Sequence, residues 1–305
     1  MKNSENISMN SIGKGWNILF TILLGIVAVL FVAPVLLMAI ISFSSTDSIN
    51  TVGYSFFPIE WSLEGYRYAF EMGDQLWNSY LITIVYAVSG TVLGVFLMSM
   101  YAYVLNQQQF WLRRFLTWFL FFTMLFSGGL IPSYIFNVRY YHIGDTFWVL
   151  LLPSLVSAYW VIILRTFMKT SIPDSLFESA RIDGAGHFTI FFKIALPLSK
   201  AGLGTIGLFS FVAKWNDWFN GMMYIENPKL VPLQTLLTKL QKNVDYLKAN
   251  SQIGSTPDGL QMLKNIPGTN LRMACTMLAV IPVLFAYPFF QRYFVSGLTM
   301  GSIKE

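Results

Sequence analysis

Charged residues are scarce in this sequence. Only 11% of its 305 residues are Asp, Glu, Lys or Arg, while 55% are hydrophobic and 17% are aromatic. An ordinary soluble domain has about 25% charged residues, and a chain of this length needs a polar surface that so few charges do not supply. The composition excludes an ordinary soluble protein and predicts one that uses the lipid bilayer as its solvent.

Cysteine and histidine are almost absent. Cys275 is the single cysteine, so the sequence allows no internal disulfide and no CxxC motif, and we expect this residue to be buried by packing. His142 and His187 have no neighbouring cluster of carboxylates or thiols such as a zinc or iron site would need. The sequence therefore predicts no metal site and no directly bound cofactor.

Six apolar runs are long enough to cross a membrane, since a helix through a hydrocarbon layer about 30 Å thick needs roughly 20 apolar residues. Gly128, Gly129 and Pro132 predict a kink in the third run, and Lys214 and Asp217 interrupt the fifth. We predict an all-α polytopic membrane protein with six transmembrane helices. The runs are 16–43, 77–105, 115–138, 146–168, 201–224 and 273–298.

These runs predict the organisation of the whole chain. A six-span transmembrane domain is expected over residues 16–299, with its core at about 77–299. Polar tails are expected at 1–15 and 300–305, and a soluble inner loop at 169–200.

Basic residues form no tract, which argues against a nucleic-acid partner, and their distribution predicts topology instead. With six spans, both termini lie on one side. If that side is the cytoplasm, the inner segments hold 11 of the 20 basic residues but only 5 of the 15 acids. This bias favours cytoplasmic N and C termini. The inner basic residues are Lys2, Lys14, Arg113, Arg114, Arg165, Lys169, Arg181, Lys193, Lys200, Arg292 and Lys304.

Loop 169–200 has an amphipathic helical pattern. We expect Ser171 to cap a short helix that has Pro173 in its first turn, because the missing N–H of proline costs nothing there. Gly184 and Gly186 supply the flexible turn that ends this helix. Its apolar face consists of Leu176, Phe177 and Ala180, at spacings of three and four.

A second short helix is predicted over residues 187–194, ended by Leu196-Pro197. It carries Phe188, Phe191 and Phe192. The pattern leaves two interpretations open: these rings lie in the headgroup boundary or under the bundle, or the loop docks into a groove on a soluble partner.

The spacing within this loop resembles a known family. The loop contains the sequence Glu178-Ser179-Ala180, three residues, Gly184, nine residues, Ile194, one residue and Leu196-Pro197. This spacing is similar to that of the EAA loop of binding-protein-dependent ABC importer permeases, with Ser179 where the pattern has alanine. Segments 126–132, 215–220, 232–237 and 290–298 resemble, more narrowly, the carbohydrate importer permeases similar to the inner-membrane subunit of the maltose transporter, and among them those for complex oligosaccharides.

The resemblance implies a non-catalytic permease subunit of a bacterial ABC importer for an oligosaccharide. Its EAA loop is the coupling helix held by a cytoplasmic ABC ATPase dimer, and ATP and Mg act on that partner. The sequence has no GxxxxGK[ST] phosphate loop of its own. The implied coupling residues are Glu178, Ser179, Ala180, Asp183, Gly184, Ala185, Ile194, Leu196 and Pro197.

The resemblance also implies the setting of the chain. It implies a multi-pass location in the bacterial plasma membrane among lipids, a second homologous permease and an extracytoplasmic solute-binding protein. By the same similarity, the outer segment 226–272, with a polar tip at 250–259, reaches into that binding protein.

Polar residues in the fifth run are candidates for the substrate pathway, because ionisable groups at membrane depth usually face a water-filled path. Trp and Asn side chains offer stacking surfaces and amide hydrogen bonds to a sugar. Two other interpretations remain open: Lys214 and Asp217 neutralise each other, and the tryptophans form an interfacial aromatic belt. The candidate pathway residues are Trp215, Asn216, Asp217, Trp218 and Asn220.

Three alternative functions are open at this stage. An ABC permease for peptides or amino acids has the same coupling loop. A secondary transporter fits six spans with broken helices, but the spans contain one acid, Asp217, where several are expected. A membrane-embedded enzyme needs a convergent nucleophile, acid and base, which the spans do not provide.

Overall fold

The computed structural model describes residues 14–249 and 268–301 of the chain. Within these ranges the backbone is helical almost throughout, and the only strand-like pairing is one isolated bridge between Ser44 and Trp61. The predicted all-α architecture is confirmed. Most of the predicted N-terminal tail, most of the C-terminal tail and the predicted loop tip at 250–259 lie outside the described residues.

The described residues form fifteen α-helices. Those of the first half are α1 (Lys14–Ser42), α2 (Thr46–Val52), α3 (Glu64–Glu71), α4 (Asp74–Asn106), α5 (Arg113–Leu125), α6 (Leu130–Ile135), α7 (Phe147–Leu151) and α8 (Ala158–Ser171). Those of the second half are α9 (Asp174–Ile182), α10 (His187–Ile190), α11 (Leu196–Leu198), α12 (Lys200–Trp215), α13 (Phe219–Tyr224), α14 (Leu233–Ala249) and α15 (Thr269–Gly301). Single 3₁₀ turns lie at Leu152–Ser154 and Pro228–Leu230, and π-helical turns at Phe136–Tyr140 and Phe191–Ala195.

Three continuous helical stretches are long and apolar enough to cross a membrane: Gly15–Ser42, Asp74–Asn106 and Thr269–Pro288. They correspond to the first, second and sixth predicted runs. Pro34 lies inside α1, and Pro282 and Pro288 lie inside α15, which membrane helices tolerate when the released backbone groups find other partners.

The other apolar runs are bent. Arg113–Leu125 and Leu130–Tyr140 meet at 113°, Phe147–Ser154 and Ala158–Ser171 at 45°, and His187–Leu198 and Lys200–Trp215 at 77°. The kink predicted in the third run is confirmed: the break covers residues 126–129 and ends at Gly129, whose φ of +86° suits glycine. If each bent pair is one span, the described helices allow up to six spans by length and composition.

The fifth predicted run, 201–224, is not one helix. The helix ends at Trp215, and α13 starts at Phe219. The Asp217 carboxylate accepts the backbone N–H of Asn220 at 3.1 Å, so a side chain takes the place of a helical carbonyl, as short polar side chains do at helix starts. We name residues 216–218 the fifth-segment break.

One compact unit comprises residues up to Ala69 together with 266–277. Within it, the Glu64 carboxylate accepts from Thr46 Oγ1 at 3.2 Å and from Asn270 Nδ2 at 3.4 Å. The Ser42 hydroxyl is 2.9 Å from that of Tyr66. These bonds join the end of α1 and the starts of α2, α3 and α15.

The second compact unit comprises 70–265 and 278–305. In its described part, α4 packs against α8 and α12. Small residues let the backbones approach, since a Cβ added at Gly94 would lie 2.7 Å from the Leu155 carbonyl oxygen and one at Gly202 would lie 2.7 Å from the Phe167 ring. Cys275, in the other unit, is buried as predicted.

Candidate functional site

The first helix of loop 169–200 starts at Asp174, after an extended Pro173 in the N-cap position. Asp174 lies in the first turn, where a carboxylate is favoured by the positive end of the helix dipole. The prediction that Ser171 caps this helix is wrong, because Ser171 is the last residue of α8. The extended backbone that proline and its preceding residue prefer separates the two helices.

The turn after α9 requires glycine. Gly184 has φ +81°, a region that other residues rarely adopt. The N–H of Gly184 donates to the Arg181 carbonyl at 3.0 Å, and that of Ala185 to the Ala180 carbonyl at 2.9 Å. These bonds satisfy carbonyls that the helix end would leave without partners. Gly184 thus ends the helix as predicted.

The second helical segment is longer than predicted. α10 continues through the π-helical turn at 191–195 into α11, and the chain stays helical to Leu198. Pro197 therefore does not end the segment; the break falls at Ser199. Pro197 directly follows the π-helical turn, where the spacing of the backbone hydrogen bonds already changes, so its missing N–H interrupts no regular α-helical run.

One side of the loop is fastened to the bundle. The ring centroid of Phe177 lies 6.2 Å from that of Tyr103 in α4, and the ring centroid of Phe191 lies 5.4 Å from that of Tyr103. Arg181 donates to the Gln107 side chain just beyond α4, and Gln108 donates to Asp174 at 3.3 Å. Both loop phenylalanines are buried. The sequence did not indicate Tyr103 or Gln107, because nothing local marks a distant partner.

The other side of the loop is exposed. Ile182 is 86% exposed and Phe188 is 72% exposed, although both are large and apolar. Glu178, Ser179, Asp183, Gly184 and Pro197 are exposed, and Ala180, Ala185, Ile194 and Leu196 are half-buried. The structure therefore places the loop residues predicted from the sequence on two consecutive helical segments and the turn between them, with exposed apolar side chains on either side of that turn.

The candidate pathway residues separate into different environments. Trp215 is 2% exposed, and its indole N–H donates to the Ala279 carbonyl at 3.0 Å, so it joins α12 to α15. Asn216 is exposed and accepts from Gln234 at 3.3 Å. Trp218 is exposed, with the Lys242 ammonium 5.6 Å from the ring centroid.

Asp217 and Asn220 are half-buried and belong to a hydrogen-bonded polar group. The Asp217 carboxylate accepts from the Tyr86 hydroxyl at 3.0 Å and from Asn220 Nδ2 at 2.8 Å. Lys214 donates to the Ser154 carbonyl at 3.0 Å rather than to Asp217, so the two ionic side chains do not pair directly. We name Tyr86, Ser154, Lys214, Asp217 and Asn220 the polar network.

Two cavities meet at this network, with Ser154 and Asn220 in the walls of both. The small cavity, of about 300 Å³, also contains Lys214 and Asp217 in its wall. The large cavity is about 760 Å³, and its wall includes the Gly128-Gly129 break. Sequence reasoning missed six of its polar residues, which are Ser127, Ser133, Asn137, Tyr141, Ser154 and Tyr224.

This arrangement suits recognition of a polar solute. Hydroxyl and amide groups alternate with aromatic rings, and the Tyr134 and Tyr224 rings stack at 5.6 Å. Asn137 donates to the Tyr224 hydroxyl at 3.3 Å, which fixes both side chains. A concave site with a few placed polar groups is typical of small-molecule binding.

Comparison with known proteins identifies the family. The model described as the binding-protein-dependent transport system inner membrane component matches residues 102–300. The chain is 35% identical over 278 residues to the polygalacturonan/rhamnogalacturonan transport system permease protein YtcP of Bacillus subtilis (strain 168), covering 91% of this chain and 94% of that protein. It is 34% identical over 288 residues to protein LplC of the same strain, covering 94% and 93%.

A solved structure is also similar. A chain of a bacterial ABC transporter involved in the import of the acidic polysaccharide alginate superposes with a TM-score of 0.76 at 28% identity, covering 92% of this chain and 96% of that one. Both the fold and the family predicted from the sequence are confirmed. The chain belongs to the family of binding-protein-dependent transport system inner membrane components.

Proposed function

We propose that this chain is the permease subunit of an ABC importer that moves an oligosaccharide across the plasma membrane. An extracytoplasmic binding protein delivers the sugar, and a second permease completes the pathway. ATP is hydrolysed on a cytoplasmic ATPase dimer. The observation that carries this proposal is loop 169–200, which is fastened on one side and presents an apolar helical tip on the other.

The loop acts as a lever in this proposal. Ile182 and Phe188 give a soluble partner the apolar contacts by which an amphipathic helix seats in a groove. Phe177 and Phe191 pack on Tyr103, so a displacement of the tip moves α4 rather than only the loop. Packed elements transmit such rigid-body motions because they do not deform continuously.

The spans and their orientation are part of the proposal. Six spans with both termini in the cytoplasm place loop 169–200 beside the ATPase, and the charge bias of the inner segments supports this orientation. The domain boundaries are those expected above, with the transmembrane domain at 16–299 and the inner loop at 169–200.

The choice of a sugar is supported by the relatives and by the cavities. Similar proteins are named for polygalacturonan/rhamnogalacturonan, arabinooligosaccharides and alginate. The large cavity presents hydroxyl, amide and ring groups, which match the hydroxyls and apolar ring faces of sugars. We assign Asp217 and Asn220 to the pathway wall, with Asn216 and Trp218 near it and Trp215 supporting α12 from behind.

Cross-linking tests the lever directly. In the purified transporter, Ile182→Cys carrying a maleimide-benzophenone should photo-cross-link to the ATPase, whereas Thr51→Cys, exposed in the predicted outer loop, should not. The native Cys275 is buried, so it should not react. Cross-linking at neither position, or only at Thr51→Cys, would contradict the proposal.

Stimulation of ATP hydrolysis tests the sugar. Reconstituted transporter with its binding protein should hydrolyse ATP faster with oligosaccharides than with peptides of similar size. Stimulation by peptides and by no glycan would favour a peptide permease.

A further inference from the structure

Lys214 is the one charged side chain that is buried among the residues the structure describes. It is 7% exposed, in the last turn of α12. An ionisable residue at membrane depth is costly to remove from water, and where it occurs it usually faces a water-filled path or the bundle interior. Its position therefore calls for a functional explanation.

The side chain of Lys214 is held in one place. Its stem lies against Gly90 of α4, where an added Cβ would be 2.5 Å from Cε and 2.7 Å from Cδ. The ammonium donates to the Ser154 carbonyl at 3.0 Å. Gly90 leaves the room for the stem, and the carbonyl fixes its end, so the charge does not reach out to an aqueous surface.

The ammonium has more donors than the surrounding protein uses. It carries three N–H donors, and in the described part of the chain its hydrogen bond is to one acceptor, Ser154. The Asp217 carboxylate forms no ion pair with it; that carboxylate accepts from Tyr86 and Asn220. Lys214 therefore presents donors to the small cavity that it lines.

The small cavity can accept part of a sugar. Its volume of about 300 Å³ is at the lower end of the range of about 300–1,000 Å³ typical of small-molecule sites. Beside the ammonium, its wall contains three serine hydroxyls and one tryptophan ring, which are Ser154, Ser157, Ser210 and Trp160.

We propose that Lys214 is a specificity-determining residue that recognises a carboxylate of the transported sugar, so that the substrate class is an anionic oligosaccharide containing uronate residues. The inference rests on the proposed function. It agrees with the names of similar proteins, which mention polygalacturonan/rhamnogalacturonan and an acidic polysaccharide.

The physical reason is the cost of moving a carboxylate into a protein interior. A carboxylate that leaves water loses its hydration, and an ammonium already in place compensates with charge-assisted hydrogen bonds. A neutral sugar loses no such hydration and gains little from the cation. Lys214 should therefore discriminate between an anionic and a neutral sugar by their charge and not by their size.

The Asp217 carboxylate repels a sugar carboxylate in the same cavity. Its oxygens already accept the Tyr86 hydroxyl and the backbone and side-chain N–H groups of Asn220, which reduces the repulsion without removing it. Asp217→Asn should consequently raise uptake of an anionic sugar relative to a neutral one.

The experiment compares an oligogalacturonate with its methyl ester of the same length in the reconstituted transporter with its binding protein. For each variant, uptake is divided by that of the wild type with the same sugar, so the binding protein's own preference cancels. We expect Lys214→Gln to lower uptake of the acid about 10-fold, as loss of a charged hydrogen bond would, and to leave the ester nearly unchanged. Arg114→Gln, at an exposed cation in α5 that lines neither cavity, is the control and should affect neither sugar.

Equal losses for acid and ester in Lys214→Gln would overturn the inference and show that Lys214 only braces the helices, leaving the proposed function intact. If the wild type takes up neither sugar nor any other glycan, the proposed function itself fails. If Lys214→Gln does not assemble, Asp217→Asn decides: a raised acid-to-ester ratio supports the inference, and an unchanged or lowered ratio overturns it.

Discussion

Loop 169–200 and the fifth-segment break are both polar interruptions of an apolar sequence, and they are built in opposite ways. The loop buries Phe177 and Phe191 and exposes Ile182 and Phe188, so its apolar groups face outward at the tip. The break turns Asp217 inward onto Tyr86. The difference teaches that polarity of the sequence alone does not distinguish the two: the loop exposes apolar side chains, and the break directs a carboxylate onto α4.

The largest expected effect is at the turn of the loop. Proline cannot adopt the φ of +81° at Gly184, so Gly184→Pro should distort the turn at a cost of about 3 kcal/mol, which corresponds to a loss of uptake of roughly 100-fold. Membrane insertion should be normal and ATP hydrolysis should continue without uptake. The two rates are measured together in proteoliposomes.

Gly184→Asn is the matched control, because asparagine tolerates positive φ. It should retain most of the uptake. Normal uptake by the proline variant would show that the loop does not transmit motion. The loop and the fifth-segment break would then not differ in the way described.

The next largest effect is expected where the loop packs against α4. Phe177→Ala removes a buried ring that packs on Tyr103, and it should lower the unfolding free energy by about 3 kcal/mol. Uptake per ATP hydrolysed should fall, since a loosened lever moves without the bundle. Phe188→Ala, at an exposed ring, is the contrast: it should leave the thermal stability of the isolated subunit unchanged. Equal destabilisation by both variants would contradict the assignment of buried and exposed sides.

A smaller effect is expected on the side of the fifth-segment break. Gly90→Ala places a Cβ against the Lys214 stem, and such overpacking should cost about 1–3 kcal/mol. Gly25→Ala, in α1 with nothing within 4 Å of the added atom, should be neutral or stabilising by about 0.5–1 kcal/mol. Thermal unfolding in detergent compares the two, and equal shifts would mean that Lys214 does not occupy the space beside Gly90.

The smallest expected effect is at Tyr86. Tyr86→Phe removes the hydroxyl that donates to Asp217 at 3.0 Å, and a hydrogen bond to a charged group contributes about 1.5–3 kcal/mol. Because Asn220 still donates to the same carboxylate, we expect the loss to be near the lower value. The midpoint of thermal unfolding measures it, and no change would show that Asp217 does not depend on α4.

The loop was largely predictable from the sequence because its determinants are local. Gly184 at positive φ, Asp174 in the first turn and the spacing of Phe177 and Ala180 all operate within a few residues. The errors were at the ends, where Ser171 and Pro197 have roles that depend on the neighbouring helices. The pattern alone left the partner of the loop open, and an ATPase is what the family resemblance implies.

The cavities were not predictable, because distant segments form them. Ser154 and Asn220 are 66 positions apart and share two walls, and Asn137 meets Tyr224 across the large cavity's wall. The spacing of Lys214 and Asp217 allowed a mutual pair, but Lys214 donates to the Ser154 carbonyl and Asp217 accepts from the Tyr86 hydroxyl instead. Such tertiary partners leave no periodic signal in the sequence.

A cryo-electron microscopy structure of the assembled transporter with bound ATP tests most directly whether an ATPase binds loop 169–200. We predict that Ile182 and Phe188 are buried in a cleft of the nucleotide-binding subunit. A structure in which both side chains face lipid or solvent, with no ATPase against them, would contradict the account.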